Sequence, residues 1–93
     1  MTSHNLWELD EESTRRAIDV WRERDGPDRD LRLLVGEWII DRLRADPLNV
    51  GRVDRAEGRS EVRFGRVPGC DVGVVFVVSR QDMSVSVAVI SQR

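Results

Sequence analysis

Residues 72–90 read VGVVFVVSRQDMSVSVAVI, and the fold turns on how this stretch is read. Two runs dense in β-branched residues flank Ser79-Arg80-Gln81-Asp82, a short polar break. That is the pattern of a β-hairpin. Successive side chains of a strand point to opposite sides. Val72, Val74, Phe76 and Val78 therefore share one face of the first strand, and Met83, Val85, Val87 and Val89 one face of the second. These two rows are the expected core. The opposite rows, with Gly73, Val75, Val77, Ser84, Ser86, Ala88 and Ile90, are smaller or less apolar, as suits a central pair whose second face is partly open.

Working outward, Pro68-Gly69 marks a turn, and Arg59 to Val67 alternates ahead of it. Apolar-inward logic puts Ser60, Val62 and Phe64 on the core side and Arg59, Glu61 and Arg63 on a charged solvent side. Asn49 to Glu57 is polar, with Val50 and Val53 as its β-branched residues, and reads as a loop or weak edge strand. The first half is helical in pattern. Asp10-Glu11-Glu12 supplies negative charge where a helix starts, with Asp10 or Ser13 as cap, and Thr14, Ala17, Ile18 and Trp21 form a thin apolar stripe. Asp25-Gly26-Pro27 breaks that helix.

A second helix, capped by Asp28 or Asp30, carries Leu31, Leu34, Val35, Trp38, Ile39 and Leu43 at three- and four-residue spacing. Asp46-Pro47 ends it, because a residue before proline is pushed out of the α region. Leu33 and Ile40 lie on the far side and are expected to pack against the first helix. Gly36, unfavourable in mid-helix, suggests close approach of another backbone. Asn5 to Leu9 alternates weakly, as a short edge strand or an extended lead-in.

The order, helices then strands, predicts one α+β domain over 1–93: two N-terminal helices packed on one face of a three- to four-stranded antiparallel sheet. Small residues on the other face, flanked by Arg59 and Arg63, predict a shallow basic concavity there.

Composition narrows the chemistry. The chain has 93 residues and a formal net charge of −2, without a long apolar run or a signal-like start, so a cytoplasmic protein that does not enter membranes is expected. One cysteine, Cys70, and one histidine, His4, make neither an internal disulfide nor a metal cluster; no metal or cofactor is expected. All fifteen basic residues are arginine, which does not readily deprotonate. Residues 1–48 hold eight arginines against twelve acids, a net of −4, and residues 49–93 seven against five, a net of +2. An anionic partner should meet the sheet.

Three stretches carry a resemblance to a known family: Trp38-Ile39-Ile40-Asp41-Arg42-Leu43-Arg44-Ala45-Asp46-Pro47, Gly58-Arg59-Ser60-Glu61-Val62-Arg63-Phe64, and the hairpin from Val74 to Val78 and Val85 to Arg93. In order and spacing these resemble the RelE/ParE superfamily of toxins from bacterial type II toxin–antitoxin pairs, whose helix ends in a similar "L-x-x-D-P" segment. The resemblance implies a partner antitoxin, or another protein partner, and action on translation at the ribosome and mRNA or on DNA gyrase. If active on RNA, such a protein is a metal-independent, ribosome-dependent mRNA endoribonuclease. By position, the resemblance makes Arg63 the arginine that meets the scissile phosphate and Arg93 the terminal basic residue; Glu61, the one carboxylate expected on that face, is the base in reach, and Arg59 and Arg66, on the same strand, are expected nucleic-acid contacts. Phe76 stands where many members carry tyrosine, and Gly73 or Val74 where many carry a second arginine. The alternative is a degenerate, non-catalytic protein-interaction module on the same scaffold. An apolar patch of Trp7, Leu33 and Ile40 offers a place for an antitoxin helix.

Overall fold

The computed structural model describes residues 7–92, so His4 and Arg93 lie outside the described residues. β1 (Glu8–Leu9) leads into α1 (Glu11–Asp25) and α2 (Arg29–Trp38); a π-helical turn, Ile39–Leu43, prolongs α2. A 3₁₀ turn, Pro47–Asn49, then precedes β2 (Arg52–Glu57), β3 (Ser60–Arg66), β4 (Val72–Ser79) and β5 (Ser84–Gln92). The strands form one sheet in the order β1-β5-β4-β3-β2. Helices and sheet make the expected α+β architecture, with two strands more than the hairpin and β3. β2 is a paired edge strand, exposed at every residue, and β1 joins β5 in parallel through Glu8 and Leu9. The sheet is therefore mixed, with five strands rather than three or four and one parallel edge.

The helix ends follow the sequence signals. Asp10 caps α1, its side chain accepting from the Ser13 N–H at 3.2 Å, and Asp28 caps α2 by accepting from the Leu31 N–H at 2.8 Å. Each satisfies an amide that the helix itself leaves unpaired. Gly26 closes α1 in the left-handed region at φ 57°. Ala17 and Trp21 of α1, and Val35, Trp38, Ile39 and Leu43 of α2 and its π turn, are buried against Val72, Val74, Phe76, Val78, Val85, Val87 and Ile90 of the hairpin. Burying each such aliphatic side chain is worth about 1.5–3 kcal/mol, so this layer holds the domain together.

In β5 the inward row changes phase. Val75 pairs with Val89 and Phe76 with Val87, which leaves Ala88 as a bulge. Beyond it Ile90 is buried and Val89 exposed, the reverse of strict alternation.

The larger correction concerns β3. Residues directly opposite each other across a ladder share a face. Arg63 pairs with Phe76 and Gly65 with Val74, whereas Phe64 pairs with Val75. Arg63 and Gly65 thus lie on the helix-side face and are buried, while Phe64 lies on the open face and is half-buried. The expected assignment, Phe64 inward and Arg63 outward, is inverted.

Two glycines explain why. A Cβ on Gly65 would stand 3.2 Å from the Trp38 ring, and one on Gly73 would stand 2.7 Å from the Phe64 ring. Trp38 fills the inner volume that a β3 side chain would take, and Phe64 covers the bare backbone of Gly73 outside.

Two smaller expectations also change. Leu33 and Ile40 are exposed, at 50% and 57%, rather than packed on α1, while Trp7 is buried in the core; the three do not form one surface patch. Beyond its own helix turns, no atom of the described residues lies within 4 Å of where a Gly36 Cβ would be, so no other described backbone approaches it.

Two glycine substitutions separate these environments. Gly36→Ala should stabilise the protein by up to about 1 kcal/mol, the intrinsic helix preference with nothing in the way. Gly51, at φ 66° and with a Cβ position 1.9 Å from the Phe64 carbonyl oxygen, should lose more than about 2 kcal/mol as alanine. Urea denaturation of both variants checks the pair.

Candidate functional site on the open sheet face

Both helices pack on one side of the sheet, so among the described residues the other side is uncovered. Its residues follow from the ladders: Arg52 opposite Phe64, Arg55 opposite Val62, and Arg66 opposite Gly73. A register shift at Asp54, between Val53 and Arg55, is what returns both Arg52 and Arg55 to this face. Gly51, Arg52, Phe64, Gly65 and Arg66 line a shallow hollow of about 440 Å³. Two exposed guanidinium groups thus flank an aromatic ring, and among the described residues no carboxylate lines the hollow. Such a surface attracts an anion and offers a flat ring to stack upon.

The residues that the sequence singled out divide differently. Arg66 is exposed and lines the hollow. Arg59 is exposed in the β2–β3 turn, at the other end of β3 and roughly 20 Å away along the strand, so it is not part of the same cluster. Arg63 and Glu61 lie on the helix-side face, near the sheet's β2 edge. The Arg63 Nε–H donates to the Val50 carbonyl at 3.2 Å and an Nη2–H to that of Gly51 at 3.5 Å. Its Nη1–H donates to Glu61 Oε1 at 3.0 Å. Glu61 Oε2 accepts from Arg80 at 2.9 Å.

Every arm of the Arg63 fork is therefore engaged inside the protein, with the side chain only 8% exposed. A planar guanidinium suits this role because its donors diverge in one fixed plane. The expected catalytic placement of Arg63 on the open face is corrected by the β3 phase, and Glu61 moves with it.

The electrostatics of Glu61 follow. The hydrogen bond from Arg80 and then that from Arg63 hold its carboxyl below the usual carboxylate range, against the smaller effect of burial. Asp25 is lowered likewise by its Arg24 partner and by the backbone N–H of Gln92. Among the described residues, no group of three or more His, Cys, Asp or Glu could hold a metal ion. Cys70 is half-buried, its thiol 3.6 Å from the Val67 carbonyl. No described helix is long and apolar enough to cross a membrane.

Arg52 and Arg55 are the open-face residues that sequence reading missed. Asn49 to Glu57 carries no apolar alternation to mark it as a strand, and the shift at Asp54 hides the shared face of its arginines. The arginine richness of that segment was the one available signal.

Comparison with known proteins places this geometry. The chain superposes on one chain of the crystal structure of the toxin–antitoxin complex RelBE2 from Mycobacterium tuberculosis with a TM-score of 0.67, covering 95% of this chain and 99% of that one at 17% identity. The fold is RelE-like. The sequence matches no protein-family model and no curated protein. The RelE-like fold agrees with the architecture expected from the hairpin and the second helix.

The Glu61 ion pairs give a pH prediction. A carboxyl whose pKa is lower folded than unfolded stabilises the protein above its unfolded pKa, and that stability is lost as pH falls through the folded value. Acidification below the ordinary carboxylate range should therefore destabilise the protein. Glu61→Gln should flatten that part of the stability–pH curve while leaving the Asp25 contribution in place. Denaturation midpoints measured from neutral pH downward for both proteins test this.

Proposed function

We propose that this protein is the toxin-type member of a type II toxin–antitoxin pair, restrained by a protein antitoxin, and that it acts on translation by contacting mRNA at the ribosome through the open sheet face. The observation that carries the reading is the hollow in which Arg52 and Arg66 flank Phe64 on an uncovered sheet. Single-stranded RNA is held by cations along its backbone and by aromatic rings under its bases, and this surface supplies both. The RelE-like fold supports the toxin-type role, and the excess of arginine in residues 49–93 supports an anionic partner over gyrase.

Cleavage is a separate matter. Endonucleolytic chemistry needs a base for the ribose 2′-hydroxyl and a cation for the phosphate. A base works best with a pKa near the operating pH, and Arg80 and Arg63 move Glu61 the other way. In this reading Arg63 and Glu61 do not touch RNA, Arg52 and Arg66 bind, and Arg59 stands apart. These ion pairs favour a second reading, a non-catalytic interaction module on the same scaffold that binds RNA or a protein without cutting.

Expression in a bacterial host tests the proposal. Growth arrest is expected from the wild type and should be lost in the Arg52→Ala, Arg66→Ala double variant at equal protein level. Primer extension across abundant mRNAs separates the readings: new 5′ ends mark a nuclease, and arrest without them marks a binder. Normal growth at high wild-type protein levels would overturn the toxin-type proposal.

A further inference from the structure

Arg63 reaches the open face indirectly. Its guanidinium sits on the helix side, yet its donors end on the carbonyls of Val50 and Gly51, the two residues before Arg52. Gly51 is fixed from the other direction as well: its Cα packs so tightly on the Phe64 carbonyl that no Cβ fits, and its φ is 66°. The backbone that delivers Arg52 to the hollow is thus held between the β3 main chain and the Arg63 fork. The far end of the fork is anchored by Glu61, which is itself tied to Arg80 of the β4–β5 turn.

We propose that Arg63 is a positioning residue: through the Val50 and Gly51 carbonyls it sets where Arg52 stands beside Phe64, so that a phosphate of bound RNA meets Arg52 without the loop first having to order. A cation held in place before binding loses less on association than one that must be ordered. Substituting Arg63 therefore removes the effect of Arg52 without touching the ligand. The RNA part of this inference rests on the functional reading above; the hold on the loop does not.

The experiment uses a fluorescein-labelled single-stranded oligoribonucleotide, with anisotropy titrations across salt concentrations, and the variants Arg63→Met, Arg63→Lys, Arg52→Ala and Arg66→Ala. Arg63→Met keeps the apolar stem of the side chain, removes every guanidinium donor and leaves Glu61 paired with Arg80; Arg63→Lys keeps the charge but not the fork and serves if the first variant is unstable. Arg63→Met should weaken binding about tenfold, as loss of a charge-assisted contact does, and reduce the slope of log affinity against log salt by about one, as Arg52→Ala does. Combined with Arg52→Ala it should add little further loss, whereas combined with Arg66→Ala the losses should add. A residue that merely stabilised the fold would lower the melting temperature and leave the salt slope alone.

Hydrogen exchange on the free protein is the second arm. Amides of residues 50–53 should exchange about tenfold faster in Arg63→Met while those of α1 keep their protection. If wild type binds no oligoribonucleotide, the RNA reading fails and the exchange result alone decides the positioning role. Wild-type affinity and salt slope in a folded Arg63 variant, or unchanged exchange at residues 50–53, would overturn the inference.

Discussion

Because opposed residues of an antiparallel ladder share a face, the pairing of Arg63 with Phe76 commits all of β3 at once. Phe76 is fully buried beneath the helices, so Arg63 must be on the covered side, and Phe64, one residue on, must be on the other. A slip of one residue would send every β3 side chain to the opposite face. What prevents it is shape. Trp38 lies over Gly65 on the inside and Phe64 over Gly73 on the outside, and neither ring fits if the glycines change sides.

Two consequences for function follow from that ladder. The covered side of the β2–β3 edge holds charge rather than apolar bulk, and it is tolerable there because Arg63 spends its donors on two carbonyls and a carboxylate. Breaking such a buried pair would leave an uncompensated charge, which is costly, even though forming it adds little net stability. The open side gains an aromatic ring and, through the register shift in β2, two arginines from a segment that the linear sequence leaves between a loop and a weak edge strand. On this chain the open face therefore presents cations from β2 and the end of β3, not from the middle of β3.

Much of the architecture was legible in the sequence. The β4–β5 hairpin, a cap at one of two candidate residues for each helix, the stop at Asp25-Gly26-Pro27 and most of the stripe from Leu31 to Leu43 announce themselves through local chemistry that the tertiary structure keeps; Val35, Trp38, Ile39 and Leu43 of that stripe are buried, whereas Leu34 is exposed. The site was less legible, for reasons that are physical. Alternation shows that β3 is a strand but does not say which row faces in; the usual rule, apolar inward, fails where a tryptophan from another element supplies the inner bulk. The bulge at Ala88 and the shift at Asp54 each change phase without any glycine or proline to signal it. At β1 the weak alternation left an edge strand or an extended lead-in open, and only the pairing of Glu8 and Leu9 with β5 decides for the strand. Arg66 was found because charge alone marks it, and Arg52 was missed because its face depends on the ladder.

The central claim is the phase of β3, and a nuclear Overhauser spectrum on isotopically labelled protein tests it most directly. The account predicts cross-peaks between the Phe64 ring protons and the Gly73 α-protons, and between the Trp38 ring and the Gly65 α-protons. Cross-peaks from the Phe64 ring to Trp38 and Phe76 instead, with the Arg63 side chain free in solvent, would contradict it.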